Sequence, residues 1–260
     1  MKANYHTHTF RCHHGYGCEW EYVDAAIAGG LEILGFADHS PWNFPPSYTT
    51  RVRMAPAHLP EYVETISRLK KQYAGKIAIY CGLEAEYYPD MFPEYLEMLR
   101  KAPGLDYLIM GQHYLENEFD SPMHCVKPTN DPARLIRYVD QVTEGLATGR
   151  FIYLAHPDVL QFVGDPAVYD AQMRRLCRNV NALQIPLEIN LQGYRAGNHY
   201  PSRRFWEIAA EENCNAVVGM DAHRVKHICD AAELDFIKEF TAELGLKVLE
   251  EVTLKEDFLK

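Results

Sequence analysis

Several features are scarce in this chain of 260 residues. No apolar run approaches the roughly 18–20 residues that a membrane-crossing helix requires, so no span is expected. Basic residues are outnumbered: 26 Lys and Arg against 36 Asp and Glu leave a formal charge of −10. That is the wrong sign for gripping nucleic-acid phosphates or an anionic bilayer. No CxxC occurs among the seven cysteines, Cys12, Cys18, Cys81, Cys125, Cys177, Cys214 and Cys229. An odd number in a chain too long to need staples reads as free thiols in a reducing compartment. No Gly/Ser linker, repeat or low-complexity tract divides the sequence, so residues 1–260 are expected to form a single domain with a sizeable core. No GxGxxG or P-loop follows any β-rich run, which removes the usual nucleotide-cradling motifs. The opening MKANYHTHTF lacks an apolar h-region, so no secretory leader is expected and the chain is read as cytoplasmic.

Histidine, in contrast, is plentiful at 12 residues, and its placement is ordered. Short β-rich runs (ANYHTH, ILGFADH, IAIYCGLE, DYLIMGQH, FIYLAHP, PLEIN and AVVGMDAH) alternate with longer helical patterns starting near residues 19, 59, 91, 132, 169, 202 and 231. Such alternation predicts parallel strands joined by right-handed crossovers. The runs are apolar throughout, as strands buried on both faces are. A doubly wound sheet satisfies the same pattern. The histidines favour a (β/α)7 TIM-like barrel, because they recur at the carboxyl ends of the runs, which a barrel gathers on one face.

In chain order these ends carry His6 and His8; Asp38 and His39; Glu84 and Glu86; His113; His156; Glu188 and Asn190, followed by Arg195; and Asp221 and His223. Residues i and i+2 of a strand point the same way, so His6 and His8 can grip one ion, and Asp221 with His223 repeats that geometry. Glu84 can bridge two ions through its two oxygens. Imidazoles mixed with carboxylates suit zinc, manganese or iron(II). Any one of these residues alone is better read as a core histidine or a rim charge. Their recurrence in phase with the strands is what points to metal. His58 and His227 read as surface residues, and His124 and His199 as loop residues able to line a pocket. Between the adjacent His13 and His14, spacing does not choose.

HTH, ADH, GLE, GQH, AHP and GMDAH, in this order across nearly the whole chain, resemble the PHP (polymerase and histidinol phosphatase) family. FRCHHG, GLEAEYYP, EINLQGYR and YPSRRFWEIA resemble its histidinol-phosphatase branch. The resemblance implies a distorted barrel of seven strands holding two or three divalent ions. One ion would take His6, His8, Glu84 and Asp221; a second Glu84, His113 and His156; a third His14, His39 and His223. It also implies phosphate contact by Arg195.

Clustered divalent ions activate water for in-line attack on phosphorus. Asp221 can manage the proton, with His223 beside it, and Arg195 can hold a phosphate oxygen through its planar fork. Arg53, in the Pro-rich loop after the second run, is a second phosphate candidate, although surface charge is the favoured reading. Ser202 is a third, at the start of a helix whose free N–H groups can take an anion or be simply capped. Trp42, Phe44 and Tyr48 either wall a pocket or pack that loop down. The expected activity is phosphomonoester hydrolysis, with L-histidinol phosphate as substrate in histidine biosynthesis. The alternatives are another phosphoesterase acting on nucleotides or small esters, a metal-dependent amidohydrolase (disfavoured because no strand end offers Lys) and a non-catalytic metal-binding domain. The partner is thus a small phosphate ester, with neither nucleic acid nor membrane; oligomeric state is not legible.

Overall fold

The computed structural model describes residues 1–120, 123–255 and 257–259. Eight parallel strands form one sheet in chain order: β1 (Ala3–Asn4), β2 (Ile33–His39), β3 (Ala78–Ala85), β4 (Tyr107–Met110), β5 (Phe151–Leu154), β6 (Leu187–Asn190), β7 (Asn215–Gly219) and β8 (Lys247–Val248). Seven coincide with the β-rich runs. The eighth is two exposed residues after the last helix, too short and too polar to be legible in sequence. Helices α1 (Glu19–Ala28), α2 (Leu59–Gln72), α3 (Phe92–Arg100), α4 (Pro132–Ala147), α5 (Pro166–Ala182), α6 (Leu191–Arg195), α7 (Arg203–Glu211) and α8 (Ala231–Leu244) occupy the crossovers. Three start on an aspartate cap, with Asp131, Asp165 and Asp230 accepting from the N–H two residues on. Among the described residues no helix is long and apolar enough to cross a membrane.

The sheet curls until its two ends meet at one rim. Thr7 bridges Ala222 and Tyr16 bridges Arg224 in parallel. The His8 N–H donates to the Ala222 carbonyl and the Tyr16 N–H to the His223 carbonyl, both at 2.9 Å. At its other end β7 pairs instead with β8, Asn215 with Lys247 and Ala216 with Val248. β7 therefore forks, closing the barrel at its carboxyl end and leaving a wedge at its amino end. The expected barrel is present, with an eighth strand and an incomplete seam.

Side chains inside the curl make a floor. Tyr5, Tyr107, Ile109, Ile152, Tyr153 and Val217 pack together there, and the Tyr107 hydroxyl donates to the Tyr5 carbonyl at 2.6 Å. A larger layer, including Leu34, Phe36, Leu83, Leu108 and Leu154, lies between strands and helices. Each fully buried side chain of this kind stabilises by roughly 1.5–3 kcal/mol. The pleat then continues past the floor. At and just past the strand ends stand His39 after Ala37, Gly111 and His113 after Ile109, and Gly219 and Asp221 after Val217, so that polar side chains follow the apolar ones.

Candidate metal centre

All nine histidines and carboxylates that were read as metal ligands meet at this end of the barrel. Around Glu84 and Asp221, His8 Nε2 lies 3.0 Å from Asp221 Oδ1 and 3.6 Å from Glu84 Oε2. His6 Nε2 lies 3.7 and 3.6 Å from the same two oxygens. The other Glu84 oxygen faces His156 Nε2 at 2.7 Å and His113 Nε2 at 3.4 Å. Beyond His8, the rings of His14 and His223 stack with centroids 4.6 Å apart, and their Nε2 atoms approach to 3.0 Å. His39 stands between the groups, its ring 5.3 Å from that of His14 and its Nδ1 2.9 Å from Glu84 Oε2. Glu84 is thus central, and Gly111 makes room for it, since a Cβ there would overlap its carboxylate. His156 and Asp221 take φ of 30° and 45°, a sparsely populated region for non-glycine residues that clusters at functional sites.

The hydrogen bonding asks for a cation. His14 Nδ1 pairs with the Cys12 carbonyl at 2.6 Å and His223 Nδ1 with the Asp221 carbonyl at 3.1 Å. A carbonyl only accepts, so both protons sit on Nδ1 and both neutral rings present Nε2 lone pairs to each other. His6 is oriented by Glu188, 2.8 Å from its Nδ1, and its Nε2 lies 3.1 Å from His8 Nε2, where an ion would replace the proton that His6 carries in metal-free protein. Facing lone pairs repel unless a cation lies between them. Asp221 Oδ1, Glu84 Oε2 and His39 Nδ1 are also buried, Oδ1 near His8 and the other two near each other, but in no aligned hydrogen bond. These donors fit divalent ions, with imidazoles oriented by outer carboxylates and carbonyls.

Charge is graded across the centre. Burial works against a charged His6, but Glu188, Asp221 and Glu84 outweigh it and push it up to about 10. Burial also opposes the Glu84 and Asp221 carboxylates, yet histidines hold both well below the carboxylate range: His113, His39 and His6 around Glu84, His6 and His8 around Asp221. At the far side burial prevails. With help from His8 it drives His39 down to about 3 despite Glu84, and His14 and His223 are lowered as well.

The phosphate candidates fare unequally. Arg195 lies half-buried at the end of α6, its Nε and Nη2 on the buried Glu233 at 2.5 and 2.7 Å. Its Nη1 is buried without a partner. Arg53 is not the surface charge favoured from sequence. It is 1% exposed, and its nitrogens are committed to Glu86, Glu118 and the Ser40 carbonyl at 2.8–3.0 Å. It walls the cleft but has no donor left for phosphate. Ser202 is also a correction: its N–H donates to Asp158 at 2.5 Å, and it lines a different cavity, beside Phe162 and Tyr169. The carboxylate already occupies the helix start where an anion was expected. Trp42 is buried against Tyr95 and packs its loop down. His124 lines the cleft and His199 the Ser202 cavity.

Three carboxylates given no role from sequence stand behind the histidines. Glu188 takes His6 Nδ1, Asp38 faces His8 Nδ1 at 3.4 Å and Glu86 takes His113 Nδ1 at 3.0 Å. Each stands at a strand end, and the i, i+2 spacing of Glu188 and Asn190 carried the same signal as HTH. The cleft over the centre, about 150 Å³, is lined by His39, His113, His156, Tyr200, Asp221 and His223 among others. A larger cavity of 480 Å³ sits in the wedge between β1, β8 and α8 and contains none of these residues.

A PHP domain profile matches residues 4–192. A probable histidinol-phosphatase of Deinococcus radiodurans is 33% identical over 84% of this chain and 85% of its own. A histidinol-phosphatase of Bacillus subtilis is 35% identical over 90% of this chain and 97% of its own. Among solved structures, a histidinol phosphate phosphatase from Lactococcus lactis, complexed with zinc, L-histidinol and phosphate, superposes with a TM-score of 0.73 at 19% identity, covering 97% of this chain and 98% of that one. That likeness shows the fold.

Proposed function

This chain belongs to the PHP domain family, and on that premise we propose that it hydrolyses L-histidinol phosphate to L-histidinol and phosphate with divalent ions at the crown of the barrel. One observation carries the metal reading: the imidazole nitrogens of His14 and His223, 3.0 Å apart, meet lone pair to lone pair. The two histidinol-phosphatase relatives, matched over most of both chains, supply the substrate. His6, His8, Glu84 and Asp221 would hold one ion, Glu84, His113 and His156 a second, and His14, His39 and His223 a third. Zinc suits so imidazole-rich a set, and manganese and iron(II) are the other candidates.

Bound divalent ions supply Lewis acidity toward phosphoryl oxygens and activate water for in-line displacement. The protein does the rest. Asp221 lines the cleft between His8 and His223 and would take up a proton in transit. Arg195 is braced by Glu233 with Nη1 buried and unpartnered; it is not among the residues lining the cleft, so it would have to turn toward the cleft to hold a phosphate oxygen. Arg53 supports the site indirectly, through Glu86 and so His113. The net charge of −10 argues against a nucleic-acid substrate, and seven free thiols suit a reducing cytoplasm.

The test purifies the protein without chelator, counts metal per chain and measures phosphate release from histidinol phosphate, nucleoside monophosphates and sugar phosphates. Histidinol phosphate should lead by orders of magnitude in kcat/KM. Bound metal with histidinol phosphate ignored overturns the substrate and redirects the search to other esters. Asp221→Asn and His156→Ala should each abolish turnover with circular dichroism unchanged; near-normal rates in both would remove the metal mechanism.

A further inference from the structure

The three ligand groups differ in the charge they bring. Glu84 and Asp221 both face His6 and His8, and the other Glu84 oxygen faces His113 and His156. Three imidazoles of these groups are also backed by carboxylates, His6 by Glu188, His8 by Asp38 and His113 by Glu86. At the His14–His223 corner no carboxylate of the described residues is placed between the facing nitrogens, and both rings are backed by neutral carbonyls, those of Cys12 and Asp221. The nearest carboxylate oxygen there, Asp221 Oδ1, lies 3.3 Å from His223 Nδ1, on the ring edge turned away from His14. His39 does reach a carboxylate, but it is the Glu84 oxygen already shared with His6 and His8. Cys12 Sγ lies within 4.8 Å of the nearest ligand atoms of His14 and His223. It is fully buried and donates to the Thr9 carbonyl at 3.0 Å, so it enters as a neutral thiol.

A divalent ion held by neutral imidazoles alone keeps its full charge in a largely buried place, which is costly. The corner opens onto the cleft that His14, His39 and His223 line, where an anion can supply the missing charge. We propose that the His14–His39–His223 corner binds its ion weakly, after the other two, and that phosphate completes it, so that the third ion and a phosphate group bind cooperatively. The inference rests on the metal and phosphate reading above. By linkage the effect is reciprocal: whatever factor phosphate contributes to the third ion, that ion contributes to phosphate.

The experiment is equilibrium dialysis of the full chain in zinc buffers, counting zinc per chain with and without inorganic phosphate, and measuring bound phosphate in parallel. Two zinc ions should bind first and the third only at about tenfold or higher free zinc, with phosphate moving this last step down about tenfold or more and leaving the first two in place. Phosphate affinity should rise by the same factor across that step. His14→Ala should remove the third step and the phosphate shift while retaining two ions. Three ions filling at the same free zinc, or a third step indifferent to phosphate, overturns the proposal. So does a thiolate-to-metal charge-transfer band in the cobalt-loaded protein, because Cys12 would then supply the charge. If histidinol phosphate is not hydrolysed but the phosphate-linked third step appears, the substrate reading falls and this one stands. If hydrolysis is confirmed and the step is absent, this one falls alone.

Discussion

At His13 the backbone turns left-handed, with φ of 66°, closing the short 3-10 turn of Phe10–Cys12. That one dihedral leaves His13 exposed and turns His14 toward His223. Spacing alone could not choose between the adjacent residues, because the choice lies in a turn conformation rather than in a strand period. At saturating zinc and phosphate His14→Ala is expected to lower metal content by one equivalent per chain, and His13→Ala to leave it unchanged; elemental analysis of both variants decides. Arg195 is a second case in which the partner matters. Removing it strands the buried Glu233 carboxylate, so Arg195→Ala should cost on the order of 3 kcal/mol in denaturant unfolding, in addition to any rise in KM. Pairing Arg195→Met with Glu233→Gln should restore most of the stability. If KM for histidinol phosphate recovers too, Arg195 has no part in phosphate binding.

Among elements, the strand ends were the most legible part of the site. A period of two, repeated in seven runs, puts alternate residues on one side whatever the rest of the chain does. The loop between β2 and α2 was the least legible. Its fate hangs on Arg53 meeting Glu86 and Glu118, partners 33 and 65 positions away, and nothing local to TTRVRM announces them. α6 was missed for a different reason: its five residues follow β6 directly, with Asn190 capping the Gly193 N–H, so strand and helix run together without a break. Arg53→Ala should leave two buried carboxylates uncompensated at a cost of roughly 3–5 kcal/mol. The loop should then be nicked near Pro45–Thr50 before the barrel is cut, and limited proteolysis followed by mass spectrometry reads this. Equal resistance in variant and parent would mean that the loop is held by Trp42 packing alone.

For the whole molecule the balance of charge sets a pH dependence. In metal-free protein His6 is raised to about 10, so its contribution is complete below its ordinary value near 6.5 and fades as pH climbs toward 10. Glu84 and Asp221 are depressed, so theirs is present above about 4 and fades as pH falls through the folded values. The unfolding midpoint of metal-free protein should therefore drop steadily from about pH 6.5 to 10, whereas metal-loaded protein, in which the ion replaces the His6 proton, should hold its midpoint over that range. A flat profile without metal would show that His6 is not charged by its carboxylate neighbours. At this scale the parallel sheet was legible from alternation and the barrel from the histidines at the run ends, whereas the seam was not, since the fork of β7 depends on two-residue pairings with β8.

The floor of Tyr5, Tyr107 and Tyr153 closes the barrel axis beneath the histidines, which gives the chamber one doorway. Traffic through it is last in, first out. A phosphate ester arrives headfirst, its alcohol half nearest the exit after cleavage, and the alcohol must clear the threshold before the anion behind it can follow. On the proposed activity, inorganic phosphate should then compete with each incoming ester.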